Sequence, residues 1–262
     1  MIRALFFDVD GTLVSFATHR VPDSTREALA AAHGRGVRIF IATGRASGDL
    51  GLIAGIPRDG VVALNGAECR LSDGECIACR PIPQADFERS MELAEELGFA
   101  VALEFDDGIF VDRVTPEVVR MAHSIAHPVP EAVDLRVLFA RRTCCQMCFF
   151  CNEETQRRIM PQLPGLAANR WCPIFTDINA CGTDKAQGVA AMAARFGLAA
   201  DEIMAFGDGG NDIPMLRAAG VGVAMGEAGP EVQAAADYVT DSVDDGGIRK
   251  ALIRFGVIGS EN

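Results

Sequence analysis

The feature that most constrains this chain is residues 6–13, FFDVDGTL, where an apolar run ends in two carboxylates one residue apart. Residues 2–7 carry Leu5, Phe6 and Phe7 with Arg3 as the only charge, the pattern of a strand covered on both faces. Asp8 and Asp10 close it, followed by Gly11, which lets the backbone turn where other residues resist. A strand sets residues i and i+2 on one face, so the two acids are crowded. Like charges that close repel, and they call for a cation or a proton between them. A plain turn is the competing reading, since Asp and Gly are ordinary turn residues.

The surrounding pattern is that of an α/β protein. Ser24 and Glu27 form a capping box ahead of a helix that Gly34 and Gly36 stop. Residues 37–42 (VRIFIA) read as a second strand ending at Thr43, Gly44 and Arg45, and GVVALNGA as a third ending at Asn65 and Gly66. Strand–helix–strand at this spacing implies right-handed parallel crossovers. Beyond Pro81 and Pro83 the pattern breaks into a helix over 87–97 closed by Gly98, and short strands at AVALEF and GIFVD. A loop with Pro128 and Pro130, a Cys-rich strand and a helix near 153–160 follow. The parallel pattern then resumes with a helix over 185–196, a strand over 203–206 ending in GDGGND, and a helix over 212–219. A strand at GVGVAMG and surface helices at 230–236 and 247–255 complete it. We therefore expect a Rossmann-like parallel sheet from residues 1–81 and 182–262, with 82–181 an inserted α+β domain.

Composition excludes several classes. A chain of 262 residues with 49% hydrophobic content can bury a sizeable core and is not disordered. A net charge of -12 argues against a nucleic-acid surface. No apolar run approaches the ~20 residues of a membrane span, and acids interrupt the N-terminal apolar stretch, unlike a signal peptide. A cytoplasmic protein without a membrane or nucleic-acid partner is expected. Nine cysteines fit reduced thiols better than a disulfide framework. Cys145, Cys148 and Cys151 have cluster-like spacing, but on a strand residues three apart face opposite ways and cannot grip one metal. His123 and His127 are four apart, yet Pro128 ends any helix that would pair them. Trp171 and Phe175 read as core of the insertion.

In an open α/β sheet ligands sit at the carboxyl ends of the strands. There the chain would gather Asp8, Asp10, Thr43, Gly44, Lys185, Asp208, Asn211 and Asp212. Carboxylate oxygens suit Mg²⁺, and lysine with exposed amides suits phosphate. The set suggests phosphoryl transfer.

DVDGT, ATGR, Lys185 and GDGGND in this order and spacing resemble the haloacid dehalogenase superfamily, and within it the Cof-like sugar-phosphatase branch, whose cap is inserted between the second and third motifs. NGA at Asn65, GTDKAQG and DDGGIRKAL extend the resemblance over nearly the whole chain. Val9 stands where Leu is common, and Cys181 where Lys or Pro is common at the hinge. The resemblance implies a Mg²⁺-dependent phosphatase of small phosphomonoesters, with sugar phosphates as the substrate class. By it Asp8 is the nucleophile that forms an aspartyl-phosphate. Asp10 is the general acid and then base, and Asp8, Asp208 and the Asp10 carbonyl hold the metal. Gly11, Thr43, Gly44, Lys185 and Asn211 bind the substrate phosphate, and Asp212 supports the metal shell or Lys185. Arg45 either serves substrate or only pairs with an acid. A phosphosugar mutase, a non-catalytic phospho-ligand sensor and a cysteine-based redox module are the alternatives. Oligomeric state is not legible.

Overall fold

The computed structural model describes residues 1–124, 128–170 and 172–260; His127 and Trp171 lie outside them. Two compact units emerge, one from Met1–Ala78 with Asp184–Asn262, the other from Cys79–Thr183.

The first unit begins with β1 (Ala4–Phe7), α1 (Asp23–Gly34), β2 (Arg38–Ala42), β3 (Gly60–Ala63), β4 (Glu68–Leu71) and β5 (Cys76–Cys79). The inserted segment contributes α2 (Gln84–Leu97), β6 (Ala100–Phe105), β7 (Gly108–Val111), α3 (Pro116–Ser124), β8 (Glu131–Ala132) and α4 (Leu135–Phe139). It continues with β9 (Gln146–Phe150), α5 (Glu153–Ile159), β10 (Leu166–Asn169) and β11 (Thr176–Ala180). The chain returns through α6 (Lys185–Phe196), β12 (Ile203–Gly207), α7 (Ile213–Ala218), β13 (Val221–Ala224), α8 (Pro230–Ala235), β14 (Tyr238–Val239) and α9 (Gly247–Arg254).

The first unit's sheet runs β14-β13-β12-β1-β2-β3-β4-β5. It is parallel from β14 through β3, and β4 runs antiparallel to β3. Strand β1 lies at the centre, and all four of its side chains are fully buried, as an apolar run covered on both faces requires. Register stacks Phe6 on Phe40 of β2 and Phe7 on Phe206 of β12, each with ring centroids 4.7 Å apart. Such cross-strand aromatic pairs hold neighbouring strands in register, and so bring the strand ends level. One face of the sheet packs Phe6, Phe40 and Val62 against Val189 and Met192 of α6 and Met215 of α7.

The second unit is built on a sheet in the order β10-β11-β9-β6-β7-β8, antiparallel except between β7 and β8. Phe87 of α2, Leu135 of α4 and Ile159 of α5 cover one face. Val118 and Met121 of α3 cover the other. Cys148 packs on the α3 side and Cys151 on the opposite side, so these two do not face one site.

Several local expectations need correction. Ser24 and Glu27 form no capping box, because the helix cap lies two residues earlier, at Pro22, which has no side-chain donor or acceptor, and α1 starts at Asp23. Between β2 and β3 there is only a 3-10 turn, Gly51–Ile53, in place of a crossover helix. Strands β4, β5, β10 and β11 and helices α3 and α4 are not expected from the sequence, since each is short and tertiary packing decides it.

Candidate active site

Everything in the site belongs to the first unit. Asp8 follows β1 directly, and its amide donates to the Phe206 carbonyl of the next strand at 3.0 Å. The chain then makes a single tight turn. Val9 O accepts from Leu13 N and Val14 N, and Gly11 N donates to Val14 O at 2.9 Å. Gly11 sits at φ +87, and a Cβ there would collide with the Asp208 carboxylate and the Phe16 ring. Only glycine closes this turn against that acid. The Gly11 amide, expected to meet phosphate, is committed to Val14, so the contribution of Gly11 is conformational.

Lys185 is the first residue of α6 and is wholly buried. Its Nζ donates to Asp8 Oδ1 and to Asp212 Oδ1, each at 2.5 Å. The other Asp212 oxygen accepts from the amides of Asp208 and Gly209, at 3.0 and 2.9 Å. Asp212 thereby aims Lys185 and shapes the loop after β12 with one carboxylate. Gly207 has no side chain because a Cβ there would meet the Asp212 side chain. Thr12 Oγ1 donates to Asp208 Oδ1 at 2.8 Å.

Asp8, Asp208 and Asp212 each offer a carboxylate oxygen within 4.8 Å of the others, and among the described residues this is the grouping able to hold a metal ion. The side chain of Asp10 is not part of it. It turns to Arg45, which donates through Nε to Asp10 Oδ2 at 2.7 Å and through Nη2 to Asp10 Oδ1 at 2.9 Å. The crowding expected of Asp8 and Asp10 is relieved by separate cations, Lys185 for one and Arg45 for the other.

The electrostatics follow from the count of charges. Burial pushes Asp8 well above the usual carboxylate range; Asp212 and Asp208 add to the rise, and Lys185 opposes it. Burial likewise pushes Asp208 up to about 6, against the Thr12 hydrogen bond and with the help of Asp212 and Asp10. For Lys185 burial works against the charge, but Asp212 and Asp8 more than offset it and the ammonium is raised above its ordinary value. When ionised, the three carboxylates exceed the one ammonium by two negative charges, and burial of that excess is what raises Asp8 and Asp208. Hard oxygen donors with that excess fit a divalent cation.

Strand β2 delivers Thr43, buried, with its Oγ1 accepting from Arg45 N at 3.1 Å. That bond leaves the hydroxyl proton to donate. Asn211 Nδ2 donates to Asn65 Oδ1 at 3.0 Å, and Asn65 N donates to Thr43 O, so the loops after β2, β3 and β12 are tied together beside Gly44. Sequence reasoning missed Thr12, Asn65 and the pairing of Arg45. Thr12 lay inside the quoted DVDGT run, and Asn65 inside NGA, but neither spacing says which loop a side chain will meet.

A model of the family described as haloacid dehalogenase-like hydrolase matches residues 5–252. Among solved structures, BT1666 from Bacteroides thetaiotaomicron, from a study of phosphatases of the haloalkanoate (HAD) enzyme superfamily, is similar with a TM-score of 0.95 and 55% identity. That match covers 98% of this chain and 96% of the other. The HAD subclass IIB sugar phosphatase BT4131 is similar with a TM-score of 0.89 and 39% identity, over 98% of this chain and 100% of that one. The HMP-PP phosphatase of Enterobacter sp. (strain 638) is 27% identical over 239 residues, 88% of this chain and 87% of its own.

Proposed function

The chain belongs to the haloacid dehalogenase-like hydrolases and is a phosphatase of that family, and on that premise we propose that it hydrolyses small phosphomonoesters, sugar phosphates foremost, with Mg²⁺ and through an aspartyl-phosphate on Asp8. The observation that carries the reading is the buried Lys185 ammonium set between Asp8 and Asp212, with Asp208 in the same carboxylate group. The likeness to a sugar phosphatase at 39% identity supports the substrate class.

The chemistry divides among the chain's own groups. Lys185 holds Asp8 Oδ1, which leaves the other Asp8 oxygen to attack phosphorus. Asp8 must be ionised to do so, and burial favours its protonated form, so Lys185 is needed against that burial. As the new P–O bond forms, the bond to the leaving oxygen breaks and Asp10 supplies its proton. Asp10 then takes a proton from the water that attacks the phosphorus, which breaks the Asp8–phosphorus bond and releases inorganic phosphate. Such proton transfers typically contribute ~10²–10⁴-fold. The Thr43 hydroxyl, the Gly44 amide and Asn211 hold phosphoryl oxygens, and Asp212 keeps Lys185 in place. A divalent cation would be held by Asp8, Asp208 and the Asp10 carbonyl, and would supply neutralisation of the phosphate's charge.

The test is phosphate release from a chromogenic monoester by purified protein, with and without Mg²⁺. Turnover that depends on Mg²⁺ and falls by at least about 10³-fold in Asp8→Asn is expected. An Asp8→Asn protein with wild-type turnover sinks the reading. Formation of an isomeric sugar phosphate in place of free phosphate would assign the site to a mutase.

A further inference from the structure

Arg45 is mounted more rigidly than a residue that merely neutralises a neighbour. Its backbone is fastened at both ends, N to Thr43 Oγ1 at 3.1 Å and O to Leu64 N at 3.1 Å. Its guanidinium donates from all three nitrogens, Nε and Nη2 to the two oxygens of Asp10 and Nη1 to Asp49 Oδ2 at 2.7 Å. The side chain is 18% exposed, while those of Asp10 and Asp49 are 38% and 37% exposed.

We infer that Arg45 is a positioning residue for Asp10, fixing the plane of the carboxyl group that passes a proton to the leaving oxygen. The inference rests on the role given to Asp10 above. Two considerations favour it over a direct role on substrate. One guanidinium between two carboxylates leaves that trio net negative, which repels a phosphate. All three nitrogens are already turned to acids, so the forked face that would receive a phosphate is in use. A bidentate fork fixes a carboxylate in tilt and rotation, which a point charge cannot do. The fork uses one lone-pair site on each Asp10 oxygen and leaves another on each, so a proton can be taken up and released while the plane stays fixed.

The experiment compares two substrates that differ in their need for a proton. Nitrophenolate departs readily without one; an alkoxide from a sugar or alkyl phosphate does not. In Arg45→Ala, kcat/KM for the alkyl phosphate is expected to fall about 10²-fold, and for nitrophenyl phosphate by no more than a few-fold. Arg45→Lys should fail to restore the alkyl substrate, and Asp49→Asn should show the same pattern more weakly. Because both substrates report on one protein preparation, a folding defect moves them together and the ratio isolates the positioning role. Equal losses on both substrates in Arg45→Lys and Asp49→Asn, or a rise in KM alone, would overturn the inference. Asp10→Ala separates the two levels of the argument. If it slows both substrates alike, the acid role of Asp10 falls and this inference with it. If Asp10→Ala is leaving-group dependent and Arg45→Ala is not, the inference alone falls.

Discussion

Asp208 is the residue in which the charge balance of the site is most open to measurement. Its folded-state value of about 6 lies above its ordinary 3.8, pushed up first by burial and then by the charges of Asp212 and Asp10. A carboxyl group raised in this way binds more protons folded than unfolded over that interval. Its contribution to stability is therefore complete below about pH 4 and is lost as pH rises through about 6. In chelator, Asp208→Asn should raise the melting temperature at about pH 8 and change it little at about pH 4. The stabilisation of the wild type by Mg²⁺ should grow over the same range and vanish in the variant. A variant destabilised equally at both pH values would show that Asp208 is not under repulsion. None of this was visible in GDGGND, where Asp208 could equally have been a turn residue. Burial and the distance to Asp212 turn a common turn acid into a site acid.

At the scale of elements, the start of α6 sets where Lys185 points. A lysine in the first turn is opposed by the helix dipole, and Asp184 compensates by capping the helix, its side chain accepting from Gln187 N at 2.8 Å. Asp184→Ala should cost about 1 kcal/mol of stability, read as a lower denaturant midpoint. Asp184→Asn should retain most of it, because amide and carboxylate oxygens both cap. An unchanged midpoint in Asp184→Ala would show that Lys185 is held by its partners alone. The long elements were legible: β1 from its unbroken apolar run, and α6 from good helix formers ending at Gly197. The short ones were not. Strands β10 and β11 have four and five residues and depend on β9 for their pairing, information that lies outside their own residues.

At the scale of the molecule, the cysteines report how each unit excludes water. Cys76, Cys79 and Cys181 are exposed, whereas Cys69, Cys144, Cys145, Cys148 and Cys151 are buried. Burial pushes the Cys144 thiol up to about 12 and raises Cys148 well above its ordinary value, with Asp177 adding to the second. Timed alkylation followed by mass spectrometry should label the exposed set in the native protein and Cys144 and Cys148 only after unfolding, since thiolate is the reactive form. Early native labelling of Cys148 would contradict the packing of the second sheet.

The sequence alone determined the parallel core, the presence of an insertion and the identity of most polar residues at the strand ends, because each is written in local pattern: apolar runs, helix stops and acids beside glycine. Only the tertiary structure decided which acid meets which cation. Asp8 and Asp10 are two residues apart, yet one is bound by Lys185, distant along the chain, and the other by Arg45. Side-chain partners across loops are set by strand register and burial, and charge energies depend on distances of a few ångströms that no linear spacing encodes.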